Sequence, residues 1–179
     1  MNLPERTGDQ VRFGVALLVP EPHAARLQAA RADFGDPLAS SIPPHVTLVG
    51  PTVAEPDEMQ ALYAHMTAVA AEHAPFELHL RGTGTFRPVS DVVFVQVVRG
   101  IAECEQLERG LRTGPLAQEL RFHYHPHVTV AHDVPEPALD RAFTELAEFE
   151  AMFPVTGLEV FAHGDDGVWR VERRIAFGG

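Results

Sequence analysis

A five-residue phrase occurs twice in this chain, and it constrains the fold more than any other feature. Pro44-His45-Val46-Thr47-Leu48 returns as Pro126-His127-Val128-Thr129-Val130, with the two histidines 82 positions apart. In an extended strand alternate side chains share a face, so each His lies beside its own Thr. Val46, Leu48, Val128 and Val130 then turn to the other face and anchor each strand in a core. Proline suits the first residue of a strand, and β-branched residues suit the pleat. Each copy therefore presents one imidazole and one hydroxyl from a rigid support. Facing each other, two copies form an acid–base site with two hydroxyls to hold an anion, which is what cleavage of a phosphodiester without a metal requires.

The chain holds ten His and ten Thr, so roughly half an H-x-T is expected by accident. The shared Pro, the shared Val and the following aliphatic residue set this pair apart. The rest of the chain arranges itself around them. Residues 11–19 are apolar, end at Pro20 and read as a buried strand, and Pro22 opens a helix to about residue 34. A Ser-Ser and Pro-Pro turn leads into the first motif strand, which closes at Gly50-Pro51, and residues 59–73 carry a helical pattern. Strands are expected at 76–80 and 91–98, and a helix at 101–111 that is interrupted at Gly114-Pro115 and resumes to Leu120. The second motif strand runs to about Asp133, and a helix covers 135–150. Strands at 155–162 and 168–177 are joined by the turn Gly164-Asp165-Asp166-Gly167. The order strand, helix, motif strand, helix, strand thus occurs twice. It predicts an α+β protein of two pseudo-symmetric lobes, each an antiparallel sheet flanked by helices, with a central cleft and a single bilobal domain over residues 1–179.

With its motifs His45-Val46-Thr47-Leu48 and His127-Val128-Thr129-Val130, the chain resembles the 2H phosphoesterase superfamily, whose signature is two H-x-[ST]-x motifs. It looks closest to the branch of 2'-5' RNA ligases and RNA 2',3'-cyclic phosphodiesterases. The stretch Gly84-Thr85-Phe86-Arg87-Pro88 leading into Val92-Val93-Phe94-Val95 is similar to that branch too. The resemblance implies His45 as general acid, His127 as general base, and Thr47 and Thr129 as phosphate-binding groups. It implies hydrolysis of a 2',3'-cyclic phosphate to the 2'-phosphate, with 2'-5' RNA ligation as the same chemistry run with a ribose hydroxyl. One departure stands out: several relatives have an Arg shortly after the second motif, where this chain has Ala131-His132-Asp133. An arginine grips a phosphate at any pH, whereas His132 does so only when protonated.

Net charge narrows the partners. The chain of 179 residues carries 25 Asp plus Glu against 14 basic residues, all of them Arg, for a net charge of −11. A protein that grips long nucleic acid needs a basic stripe, so a small nucleotide or an RNA end is the expected substrate rather than a polymer. The longest apolar stretch, around residues 13–19, is far too short to span a bilayer. The amino terminus lacks a signal pattern, and a single cysteine, Cys104, excludes an internal disulfide and fits a reducing cytoplasm. Cys104 falls in step with Ile101, Leu107 and Leu111 at helical spacing and reads as core. A monomer is expected.

Other residues invite further readings. Phe86 is a candidate to stack on a base, although packing suits it better, and Arg87 and His132 are candidate substrate contacts. His123, His125 and His127 alternate as they would along one face of a strand, a pattern that can bind zinc. No Cys pair or carboxylate set completes such a site, so neither metal nor cofactor is expected. The chain reads as a metal-independent phosphodiesterase for a small cyclic or 2'-5'-linked nucleotide. The alternative is a non-catalytic nucleotide-binding module using the same cleft.

Overall fold

Val46 of the first motif and Val128 of the second are direct partners across two antiparallel strands, and the fold is built outward from that contact. The computed structural model describes residues 3–178. Its elements in chain order are β1 (Val11–Leu18), α1 (His23–Asp33), β2 (His45–Ala54), α2 (Met59–Ala71), β3 (Phe76–Thr85), β4 (Val92–Arg99), α3 (Ile101–Leu111), β5 (His127–His132), α4 (Glu136–Glu145), β6 (Glu150–Val155), β7 (Gly157–His163) and β8 (Trp169–Ala176). The strands form one sheet in the order β6-β3-β4-β5-β2-β1-β7-β8, with every pairing antiparallel. Each lobe therefore contributes four strands, and the two lobes meet where β2 lies against β5. The α+β architecture is the one expected, and the lobes share a continuous sheet.

The motif strands alternate as their sequences require. Pro44, Val46 and Leu48 are buried while His45 and Thr47 are half-buried, and Pro126, Val128 and Val130 repeat the pattern against His127 and Thr129. The buried valines join one core with Leu27 of α1, Met66 of α2, Leu107 and Leu111 of α3 and Leu139 of α4. All four helices thus cover the face of the sheet that points away from the histidines. Fully burying a side chain of this size stabilises the fold by about 1.5–3 kcal/mol. The helices also cross between lobes: α1 packs on β5 and α3 on β2, which fastens each motif strand to the other lobe. Cys104 is buried in this core, and burial pushes its thiol up to about 12. That is packing chemistry, not nucleophile chemistry.

Two expected elements are corrected. The last helix ends at Glu145 instead of near residue 150, and Glu150–Val155 is a separate edge strand, β6. Its alternation is strict, with Ala151, Phe153 and Val155 buried. Pro154 is tolerated there because only one side of an edge strand is hydrogen-bonded. The helix after Gly114 does not resume either: a single 3-10 turn covers Gly114–Leu116, and residues 117–126 are irregular. Gly100 joins β4 to α3 with φ of 90°, a conformation that favours glycine. Among the described residues no helix is long and apolar enough to cross a membrane.

Candidate active site

Each motif histidine is held by the backbone two residues before it. His45 Nδ1 lies 2.7 Å from the Pro43 carbonyl oxygen, and His127 Nδ1 lies 2.7 Å from the His125 carbonyl oxygen. A carbonyl only accepts, so both rings carry their proton on Nδ1, and Nε2 remains for a ligand in both. With Val46 opposite Val128, the antiparallel register sets His45 across from Thr129 and Thr47 across from His127. Imidazoles and hydroxyls therefore alternate around a four-residue patch, each His flanked by its own Thr along the strand and by the other Thr across it. All four line a cleft of about 720 Å³.

The walls around the two rings differ. On the β5 side Phe94 is the strand partner of Thr129, and its ring centroid lies 5.1 Å from that of His127. Phe86 meets His127 edge-on at 5.0 Å and rests on Phe94 at 4.5 Å. Gly84 is the partner of Phe94 on the other side, and a Cβ there would stand 2.5 Å from the Phe94 ring. The glycine lets the ring occupy its place beneath the histidine. On the β2 side His45 faces the Phe161 ring at 6.2 Å. Burial, the Arg31 charge and His127 together lower the His45 pKa to about 4, with burial the largest cause and the Pro43 bond opposing it. Burial also lowers that of His127, helped by His125 and opposed by the bond to the His125 carbonyl. Both shifts favour the neutral imidazole. A nearby anion would work against these shifts, because negative charge favours the imidazolium.

The other expected site residues are distributed unevenly. Phe86 and His132 line the cleft, and His132 Nδ1 is 3.0 Å from Asp133 Oδ2. Arg87 does not line it: its Nη1 donates to Asp140 Oδ1 of α4 at 2.8 Å, and its Nε donates to Thr85 Oγ1. The histidine alternation at 123–127 is corrected, because β5 begins at His127 and residues 123–126 are not in a strand. Among the described residues no three His, Cys, Asp or Glu side chains are placed to hold a metal ion. Tyr124 packs on the core, and its hydroxyl donates to the Thr47 carbonyl at 3.0 Å, tying the irregular segment to the first motif.

Four cleft residues carried no signal in the sequence. Arg31, Asp36 and Glu108 are buried charged side chains in the cleft wall, while Phe122 is 59% exposed at its mouth. Their spacing from the motifs matches no pattern: Arg31 and Glu108 come from α1 and α3, and Asp36 and Phe122 from the segments that follow those helices.

A family model described as the 2'-5' RNA ligase superfamily matches residues 19–167. A Bacillus cereus (strain B4264) protein named "Putative phosphoesterase" is 25% identical over 145 residues, covering 80% of this chain and 84% of that protein. Among solved structures, Escherichia coli LigT complexed with NADP+ superposes with a TM-score of 0.68 at 19% identity, over 95% of this chain and 99% of that one. LigT complexed with 3'-AMP gives 0.68 at 22% identity, over 95% and 99%. A structure from Thermus thermophilus, TT0787, gives 0.60 at 23% identity, over 94% and 98%. The extent of the family match, together with two H-x-T-x strands paired at the centre of one sheet, places the chain in the 2'-5' RNA ligase superfamily of phosphoesterases.

Proposed function

We propose that this protein is a metal-independent phosphodiesterase that hydrolyses a small cyclic or 2'-5'-linked nucleotide phosphodiester by two-histidine acid–base catalysis. The observation that carries the reading is the matched pair of 2.7 Å Nδ1 bonds to backbone carbonyls. It leaves two equivalent Nε2 atoms beside two hydroxyls in one cleft. LigT has been solved with 3'-AMP and with ATP, which supports a nucleotide in a cleft of this kind.

The phosphodiester enters as an anion between the rings. His127 Nε2 takes a proton from water as the water oxygen bonds to phosphorus. His45, protonated beside the bound anion, gives its Nε2 proton to the departing 3' oxygen of a 2',3'-cyclic phosphate, and the 2'-phosphate remains. Its low intrinsic basicity makes the protonated His45 a strong donor. Thr47 and Thr129 hydroxyls donate to the nonbridging oxygens as charge builds on them. A ribose hydroxyl in place of water would give 2'-5' ligation by the same in-line displacement. An acidic protein with no lysine suits a single nucleotide or an RNA end better than a long strand, and nothing in the mechanism asks for a second subunit or a membrane.

The test is an assay of EDTA-treated protein on 2',3'-cyclic nucleotides, RNA ending in a cyclic phosphate, and 2'-5' oligoadenylate. Turnover to a 2'-phosphate that survives EDTA and is lost in His45→Ala and His127→Ala is expected. Nucleotide binding without turnover on any of them would make the protein a binding module, and turnover only on adding a divalent metal would overturn the mechanism.

A further inference from the structure

The geometry points to Arg31 as the permanent cation of the cleft, a specificity-determining residue whose free guanidinium nitrogen takes an anionic phosphoryl oxygen of the substrate. The inference rests on the phosphoesterase reading above and adds to it a requirement for phosphoryl charge at the His45 end of the cleft.

Arg31 lies in the last turn of α1 and is 3% exposed. Its Nε donates to Asp36 Oδ2 at 3.1 Å, and its Nη1 donates to the Ile42 carbonyl at 2.8 Å and more weakly to Gln28 Oε1 at 3.5 Å. Asp36 is fixed in turn, since its Oδ1 accepts the Leu38 amide at 2.9 Å. These bonds hold the guanidinium plane. They leave Nη2 with no acceptor among the described residues, although a guanidinium carries two N–H groups there.

A sealed N–H without a partner is costly, about 1–3 kcal/mol, and the structure avoids the cost. Among the described residues the Tyr63 hydroxyl is the one sealed side-chain polar atom without a partner. Nη2 is therefore not sealed, and Arg31 shares the wall of the cleft with His45 and Thr129. A group pinned on two sides and open on the third is preorganised for an anionic oxygen, and Arg is the side chain best suited to it.

The position also answers the departure after the second motif. Because β2 and β5 are antiparallel, the His45 end of β2 lies beside the Thr129–His132 end of β5, and α1 packs on β5. His132 occupies that end paired with Asp133 and is a cation only when protonated. Arg31 supplies from α1 a charge that does not depend on pH. Its reach to the reacting group is evident at His45, whose proton affinity it lowers.

The test uses the full chain and inorganic phosphate as the probe. Calorimetric titration compares wild type with Arg31→Gln/Asp36→Asn, a pair that removes both charges together and leaves no buried carboxylate unpaired. A loss of a charged hydrogen bond predicts a fall in phosphate affinity of about tenfold or more, seen in kcat/KM for a cyclic nucleotide chiefly through KM. Unchanged phosphate affinity in the folded double variant overturns the proposal, as does a wild type that binds no phosphate. Should the variant not fold, the arginine Nε–Hε signals of the wild type decide: phosphate must shift that of Arg31, and an unmoved signal under saturating phosphate sinks the idea. A wild type that binds phosphate through Arg31 yet turns over no phosphodiester keeps this site and removes the phosphodiesterase reading. Full turnover with an indifferent Arg31 does the reverse.

Discussion

His45 on β2 and His127 on β5 sit in nearly identical backbone settings and in unlike surroundings. Each follows a buried proline, each flanks a threonine, and each donates from Nδ1 to the carbonyl two residues earlier at 2.7 Å. Around His45, however, stand Phe161 and the buried Arg31, whereas His127 lies among the rings of Phe86, Phe94 and His125. The repeated strand sets tautomer and direction, and the unrepeated wall sets basicity. A fold with internal symmetry can in this way set two equally placed groups in unlike surroundings.

Removing the histidines breaks the comparison most severely. His45→Ala and His127→Ala are each expected to lower kcat by about 10²–10⁴-fold, the usual worth of a positioned acid or base. The double variant should be little worse than the poorer single one, because partners that act as a unit are not additive. A single variant with near wild-type kcat would show that the two strands do not work together.

The pH dependence of stability tests the burial of His45. The unfolded ring takes a proton near 6.5 and the folded one only near 4, so the unfolded state binds more protons between those values. Stability is present at neutral pH and lost as pH falls through that window, by roughly 3 kcal/mol for this group. His127 acts in the same direction. Urea unfolding at a series of pH values should show a shallower acid slope in His45→Asn than in wild type, and an unchanged slope would place the ring in water.

The hydroxyls sharpen the comparison. Thr47→Val and Thr129→Val each remove a donor to charged oxygen, worth about 1.5–3 kcal/mol, so kcat/KM should drop about 10–100-fold with the fold intact. Similar losses at both positions would support the alternating patch of His and Thr, and a loss at one alone would show that the anion sits off centre. The smallest effect is expected from Tyr124→Phe, which frees the irregular segment from the Thr47 carbonyl. About 1 kcal/mol of stability should be lost, measured by thermal unfolding.

The two motif strands and their buried valines were legible because the same alternation is written into both motifs, whereas their direct pairing in one continuous sheet was not; α3 was legible from the periodicity of Cys104, Leu107 and Leu111. The edge strand β6 was hidden because the apolar spacing of α4 runs on into Phe149, and Pro154 argues locally against a strand. Between Pro115 and His125 the expected helix to Leu120 and the alternation of His123 and His125 both misled, because tertiary bonds such as Tyr124 to Thr47 shape that segment. Arg31 and Asp36 were invisible for a related reason. Five residues apart on a helix end and its loop, they look like an ordinary surface ion pair until the fold buries them beside His45. Arg87 shows the converse, a plausible phosphate contact by position whose guanidinium goes to Asp140.

The most direct test of the account is a long-range ¹H–¹⁵N spectrum of the imidazoles at pH 7, first without ligand and then with saturating phosphate. The free protein should show His45 and His127 both neutral and both protonated on Nδ1, and phosphate should bring a second proton to one of them. An Nε2–H tautomer at either ring, or rings indifferent to phosphate, would contradict the two-histidine site.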